Sequence, residues 1–203
     1  MFRQKMMITF VAAVAALAVP GFAQSEENVV SRQDISVQAF GTFLETTTQN
    51  GIENKSNDSA GVLGTYRYFF TDHQGAEADY GFTQNYQYYG QPGSLAGVKT
   101  YSNEIFGAYV FRMPIGKKIT PFVLAGAGAL VFDPQNFAGA NTQTRAAGVY
   151  GGGADINLSN HVYIRAEYRG LIYNSPTYGL AAFSGLDRVT HRAEPSVGFG
   201  YRF

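Results

Sequence analysis

The segment PSVGFGYRF, residues 195–203, alternates two kinds of side chain along its length. Val197, Phe199, Tyr201 and Phe203 fall on one side, and small or polar residues fall on the other. Alternation with a period of two is typical of an extended strand whose two faces have different surroundings. The segment therefore predicts a β-strand with one apolar, largely aromatic face.

The composition of the whole chain agrees with this strand. The 203 residues include 24 Gly, 16 Phe and 14 Tyr, and only 15% are charged. Aromatic rings suit a pleated sheet, whereas glycine is disfavoured in helices. Basic and acidic residues number 15 each, which gives no basic surface for nucleic acid, and the absence of cysteine excludes disulfides and thiolate sites. We expect one all-β domain without a nucleic-acid partner.

The first segment has the features of a secretory signal. Arg3 and Lys5 precede an apolar run over 6–19, and small residues follow it up to Ala23. A retained membrane anchor is the alternative, but a spanning helix needs about 20 apolar residues. The sequence predicts a signal peptide over 1–23, cleaved after Ala23, and a mature domain over 24–203.

The mature chain divides into strands and connections of alternating length. Strand chemistry occurs in eight segments: 34–45, 60–71, 75–89, 100–112, 118–132, 145–157, 161–173 and 190–203. Short connections lie at 72–74, 113–117 and 158–160, and long polar ones at 46–59, 90–99, 133–144 and 174–189. Such alternation is typical of outer-membrane barrels, with turns in the periplasm and loops outside. The predicted fold is all-β, an eight-stranded antiparallel up-and-down transmembrane β-barrel.

Side-chain size assigns the two faces of most strands. Alternation alone fits a soluble barrel equally well, because that is the same pattern turned inside out. An eight-stranded barrel is only just wide enough to hold side chains, so large rings from every strand cannot all point inward. We expect rings toward lipid and charges toward the lumen. The facing of segment 118–132 stays open, because both of its faces are apolar.

The terminal strand GFGYRF and the segment GVYGGGADINLSNHVYIRAEYRG, 148–170, resemble the small eight-stranded outer-membrane barrels of Gram-negative bacteria, the OmpA transmembrane-domain and OmpX-like group. The resemblance implies that Phe199, Tyr201 and Phe203 carry the signal read by the barrel-assembly machinery. It also implies localisation in the outer membrane, among its lipids and lipopolysaccharide.

The charged residues on the predicted inward faces include both signs. We expect an ion-pair network in the lumen, because buried charges must be paired to be tolerated. Its members are Arg67, Glu77, Glu104, Asp155, Arg165, Glu167, Arg169, Glu194 and Arg202. The network predicts a plugged lumen, and the alternative is a narrow, low-conductance pore.

An enzyme that modifies lipid A is a further alternative. Some barrels of this kind use a serine and a histidine near the outer leaflet, which draws attention to His191 with Ser175, Ser184 or Ser196. Strand periodicity does not support it, because the positions that share the face of His191 two residues away are Val189 and Ala193. His73 and His161 lack metal-ligand spacing. We expect a non-enzymatic protein without metal or cofactor, serving the envelope structurally or binding an extracellular partner through its loops.

Overall fold

The computed structural model describes residues 32–44, 47–49, 52–56, 58–91, 94–135, 141–176 and 189–203, and for 47–49, 52–56, 86–91 and 94–98 it describes the backbone. The predicted signal peptide, 1–23, lies outside these ranges. No helix in the described ranges is long and apolar enough to cross a membrane.

Ten strands make up the regular structure of the described residues. In chain order they are β1 Gln33–Leu44, β2 Thr47–Gln49, β3 Ile52–Ser56, β4 Ser59–Phe69, β5 Gln74–Gln91, β6 Ser94–Arg112, β7 Ile119–Pro134, β8 Gln143–Asn157, β9 Val162–Asn174 and β10 Val189–Arg202.

Eight of the strands close into an antiparallel barrel. Each of β4 to β9 pairs with the next strand in sequence, and β1 pairs with β4 on one side and β10 on the other. The first and last strands meet along most of their length, from Asp34 opposite Arg202 to Leu44 opposite Arg192. The predicted fold class is confirmed.

The short and long connections alternate as predicted, with one correction. Short turns over 70–73, 113–118 and 158–161 lie at one end, which we call the turn end; the other is the loop end. The predicted loop 90–99 is wrong, because β5 and β6 continue to the pair Gln91 and Ser94. Gly, Gln and Pro in this stretch suggest a loop from sequence, but a hairpin beyond the lipid needs no apolar face. Similarly, β2 and β3 lie inside the predicted loop 46–59.

Outward and inward faces alternate along the barrel strands. On β10, Val197 and Phe199 are 57% and 64% exposed, while Glu194 is fully buried. The segment whose facing stayed open, 118–132, places Val123 outward and Phe122 and Phe132 inward. Large rings therefore occupy the lumen as well as the lipid face, and side-chain size alone does not assign β7.

Glycines on β7 and β8 make room for those inward rings. A Cβ atom on Gly126 would lie 2.1 Å from the carbonyl oxygen of Gly107 on β6. A Cβ atom on Gly128 would lie 2.0 Å from the carbonyl oxygen of Ile105. At these two positions β6 lies too close for any side chain, and the ring of Phe106 occupies the space beside Gly128. On β8, the ring of Phe122 lies 3.0 Å from the Cβ position of Gly153.

We predict that Gly126→Ala lowers the free energy of unfolding by about 1–3 kcal/mol, the usual cost of overpacking. Gly107→Ala is the matched control, since a Cβ atom there meets nothing within 4 Å. The measurement is the urea dependence of the fraction that migrates as the folded band in an unheated detergent gel. Equal midpoints for the two variants would contradict the close approach.

Candidate functional site

All nine residues of the predicted network project into the lumen. Each occupies an inward position of its strand, since successive side chains of a strand point to opposite faces, and eight of the nine are at most 5% exposed. The ninth, Arg202, lies at the turn-end rim, where its side chain is 11% exposed. The structure brings them together in two groups at different heights, with Glu167 between the groups.

The first group, which we call the turn-end cluster, consists of Asp34, Arg67, Glu77, Asp155, Arg165 and Arg202. Strand register creates two of its pairs, because Arg67 lies opposite Glu77 and Arg165 lies opposite Asp155. Arg165 donates from Nε to Asp155 Oδ1 at 2.7 Å and from Nη2 to Asp34 Oδ1 at 3.3 Å. With three guanidinium and three carboxylate groups, the cluster balances its formal charge.

Two rings line the turn-end cluster and contact its cations. The guanidinium carbons of Arg67 and Arg165 lie 4.0 Å and 5.1 Å from the centre of the Phe122 ring. Arg202 lies 4.5 Å from the ring of Tyr163, whose hydroxyl donates to Asp34 at 2.8 Å. Cation–π contacts of this kind are strongest where water is excluded.

The second group, which we call the mid-lumen cluster, consists of Asp79, Glu104, Arg169, Arg192 and Glu194. Arg169 Nη2 donates to Glu194 Oε2 at 2.6 Å and to Glu104 Oε2 at 3.0 Å, and its Nη1 lies 3.5 Å from Asp79 Oδ2. Arg192 bridges the same two glutamates, at 2.5 Å from Glu194 Oε1 and in direct contact with Glu104. All five side chains are fully buried, and three carboxylates share two guanidinium groups.

Three charged members of these groups are missing from the predicted network: Asp34, Asp79 and Arg192. Strand alternation could have identified two of them, Asp79 and Arg192. Asp79 follows Glu77 on the inward face of β5, and Arg192 must face inward if His191 faces lipid. Asp34 is the second residue of β1, and too few strand residues precede it to assign its face from the sequence. Gln38 also joins the network, donating to Glu167 Oε2 at 3.2 Å.

The lumen also has an apolar side. Inward residues of β6, β7 and β8, with neighbours on β4 and β9, form one buried cluster, whose members are Phe69, Phe106, Ala108, Val110, Phe122, Leu124, Leu130, Phe132, Ala147, Val149, Leu171 and Tyr173. The charged groups lie mainly on β1, β4, β5, β9 and β10. Ion pairs therefore lie mainly on one side of the lumen and hydrocarbon on the other.

The serine–histidine arrangement considered from the sequence does not form among the described residues. His191 faces outward, whereas Ser196 donates to Gln38 Oε1 at 2.9 Å inside the lumen, and Ser175 contacts Thr190. Ser184 lies outside the described ranges. The hydroxyl that reaches His191 is the phenol of Tyr150.

No cluster of three or more His, Asp or Glu in the described ranges could hold a metal ion. His73 Nδ1 lies 3.1 Å from the carbonyl oxygen of Arg112, and His161 stacks on Tyr201 with ring centres 5.6 Å apart.

The predicted assembly signal occupies the turn-end rim. Phe199 and Tyr201 face outward, at 64% and 36% exposure, and the Tyr201 and Phe203 rings meet edge to face at 5.2 Å. The amide of Phe203 donates to the carbonyl oxygen of Gln33, so the last residue is paired with the first barrel strand. These positions suit a recognition role, which remains a prediction.

We predict that Arg169→Met lowers the free energy of unfolding by about 3–5 kcal/mol, because it leaves buried carboxylates without a partner. Adding Glu194→Gln should recover part of the loss, since the double variant again has one more carboxylate than guanidinium groups in the cluster. Lys118→Met, at an exposed turn position, is the control. The measurement is the urea midpoint of the folded gel band, and an Arg169→Met midpoint equal to that of the control would refute the pairing.

Comparisons with known proteins agree with this architecture. Residues 9–203 match the family described as the outer membrane protein beta-barrel domain. No curated protein matches the chain by sequence.

Solved structures resemble the chain in fold. Neisserial surface protein A has a TM-score of 0.62 at 13% identity, over 84% of this chain and 97% of its own. Ail, the attachment invasion locus protein of Yersinia pestis, has a TM-score of 0.55 at 22% identity, over 85% and 99%. The outer membrane protein OprG of Pseudomonas aeruginosa has a TM-score of 0.55 at 16% identity, over 85% and 96%. At identities this low, the similarity of these structures establishes a shared fold and nothing further.

Proposed function

The chain belongs to the outer-membrane-protein β-barrel family, and on that premise we propose that it is a non-enzymatic barrel with a closed lumen that presents a β-sheet to partners outside the cell. Membership places the protein in the outer membrane. The turn end then faces the periplasm and the loop end faces the exterior, as is general for such barrels. The observation that carries the proposal is the combination of a filled lumen and a sheet that extends beyond it.

The side chains of both lumen clusters support a closed interior. Arg165 and Arg169 reach across the barrel axis and are fully buried, as are Glu104 and Glu194. Separating such pairs would leave charges without partners in a medium of low dielectric constant, which costs several kcal/mol for each ion. A narrow pore is therefore the weaker alternative, because conduction would require these pairs to open.

The outer ends of β5 and β6 support a surface role. Their hairpin continues past Thr100, where β7 begins to pair with β6, and runs to Gln91 and Ser94. The strand β3 adds to β5 through Glu53 to Ser56, and β2 adds to β3. Within the described ranges, residues 94–98 of β6 pair with β5 alone, so one edge of this projecting sheet offers backbone groups to another strand.

The charge of the outer segments favours a protein partner. The four predicted loop segments contain four acidic residues, Glu53, Asp58, Asp133 and Asp187, and three basic ones, Lys55, Lys99 and Arg188. This balance gives no basic surface for a polyanion. One protein of similar fold, Ail, is an attachment protein by name, and attachment through the projecting sheet is the role proposed for this chain.

Two further proposals concern biogenesis. We infer that residues 1–23 are removed as a signal peptide, since a charged start, an apolar run and a small-residue site follow one another there. Phe199, Tyr201 and Phe203 then serve as the signal for the assembly machinery, for which their outward position at the periplasmic rim is suitable.

We predict that the purified protein produces no conductance steps in a planar lipid bilayer. A variant that removes pairs from both clusters, Asp155→Ala and Arg165→Ala together with Glu104→Ala, Arg169→Ala and Glu194→Ala, should conduct. It leaves two carboxylates and two guanidinium groups at the turn end, and Asp79 with Arg192 in the mid-lumen, as balanced remainders. Single-channel recording makes the comparison, with a detergent blank and a known porin as references. Steps from the unaltered protein would overturn the closed lumen.

We predict that replacing 87–98 by an Asn-Gly turn abolishes attachment of expressing cells to cultured animal cells. The shortened hairpin still closes on the pair Tyr86 and Lys99, so the barrel should fold and keep its heat-modifiable gel mobility. A control with Gly and Ser residues replacing 136–140 leaves the sheet intact. Attachment that is equal in the shortened variant, the control and the unaltered protein would refute the surface role.

A further inference from the structure

A polar pair lies on the outward face of the barrel, where lipid is the surrounding medium. The Tyr150 hydroxyl and His191 Nε2 are 2.8 Å apart, and the two ring centres are 5.9 Å apart. Tyr150 is on β8 and His191 is on β10, so the contact crosses the whole width of β9.

A glycine on β9 makes the contact across that strand achievable. Gly170 lies directly between Tyr150 and Ala193 in the register of the three strands. A Cβ atom on Gly170 would lie 2.5 Å from Cζ of Tyr150, so the phenol ring occupies the space that a side chain would fill. The pair therefore depends on three residues in three adjacent strands. The residues around it are apolar, with Ile172 at 45% and Val189 at 71% exposure.

The depth of His191 corresponds to the outer lipid boundary. It precedes Arg202 of the turn-end rim by 11 positions on β10. With about 3.3 Å per residue and a strand tilt of about 40°, it lies about 28 Å from that rim, and the apolar band of such barrels is about 25 Å tall. His191 is thus at the level of lipid headgroups at the loop end.

We propose that His191 and Tyr150 form a contact site for the phosphorylated headgroup of an outer-leaflet glycolipid. A phenol that donates to Nε2 of a neutral imidazole places the ring proton on Nδ1. In the proposed site the Tyr150 hydroxyl donates to Nε2 of His191, which leaves Nδ1 as an N–H donor. A phosphate oxygen is an acceptor that fits this donor, since a hydrogen bond to an ionised acceptor is stronger than one to a neutral acceptor. This assignment rests on the proposed function, in which the loop end of the barrel faces the exterior of the cell.

The chain contains its own comparison at the opposite rim. His161 stacks on Tyr201 with ring centres 5.6 Å apart and an interplanar angle of 20°. Both residues face outward at the turn end, where the proposed orientation exposes them to the periplasmic leaflet. A general attraction of histidine–tyrosine pairs for lipid would therefore involve His161 as well, whereas a glycolipid site involves His191 alone.

The test is a titration of the folded, purified barrel in detergent with three lipids: a rough lipopolysaccharide, the same lipopolysaccharide after dephosphorylation, and phosphatidylglycerol. Retained lipid is counted by native mass spectrometry. The variants are His191→Phe, which keeps an aromatic ring and removes both nitrogens, and Tyr150→Phe, which removes only the hydroxyl. His161→Phe is the matched control, and the heat-modifiable gel band verifies the folding of each variant.

We expect His191→Phe to weaken lipopolysaccharide binding about tenfold, the worth of one hydrogen bond to a charged group. Tyr150→Phe should weaken it less, because the ring remains but its orientation is lost. His161→Phe should have no effect, and dephosphorylated lipid should bind the unaltered protein as weakly as intact lipid binds His191→Phe. If His191→Phe keeps full affinity, or if phosphatidylglycerol binds as tightly as lipopolysaccharide, the glycolipid site is refuted. The closed lumen and the surface role would stand in either case, since they are tested on other residues.

As a second readout, lipopolysaccharide that copurifies from washed outer membranes should fall in His191→Phe and stay unchanged in His161→Phe. The reverse pattern would overturn both the site and the orientation on which it rests. If His191→Phe does not fold, His191→Leu replaces it. That variant also removes both ring nitrogens, so lipopolysaccharide binding should weaken by a similar factor. An unchanged affinity in His191→Leu would refute the phosphate contact.

Discussion

The pairing of β1 with β10 is the constraint on which the rest of this structure depends. A bilayer provides no hydrogen-bond partners, so a sheet can cross it only when no edge is left open. Here β1 pairs with β10 from Asp34 to Leu44, and the last residue, Phe203, donates to Gln33. The barrel closes with eight strands, and that number determines how little space the lumen offers.

Two kinds of side chain occupy the narrow lumen of this chain. On the side of β6 to β8, rings and aliphatic side chains pack beside glycines such as Gly128 and Gly153. On the other side, arginines lie between carboxylates contributed by different strands. This division explains why the rule that rings face lipid and charges face the lumen does not assign every strand. β9 has charged residues on its inward face and apolar residues on its outward face, whereas β7 has apolar residues on both faces.

Much of the architecture could be predicted from the sequence, because alternation and turn residues are local signals. The eight strands and the inward position of all nine predicted charges follow from them. The facing of β7 does not, because Val123 and Phe122 are both apolar and the choice depends on neighbouring glycines. Nor does the pairing of Arg169 with Glu104, since these residues lie on β9 and β6 and meet only across the closed barrel. The continuation of β5 and β6 to the pair Gln91 and Ser94 could not be predicted for a different reason. Outside the lipid a strand needs no apolar face, so the alternation that indicates a strand is absent from its sequence.

The lumen charges act on register as well as on space. Arg169 joins β9 to β6, and Arg165 joins β9 to β1, so each links strands that are not neighbours in the barrel wall. A slip of one residue in any strand would turn its whole inward set toward lipid. For β9 that set includes Arg165, Glu167 and Arg169, and an arginine on the lipid face costs about 2–4 kcal/mol at the bilayer midplane. Apolar packing alone gives no such penalty, because on β7 either face could touch lipid. The charged residues of the lumen therefore specify the strand register. The apolar residues are compatible with that register but do not select it, and the two sets together define one closed barrel.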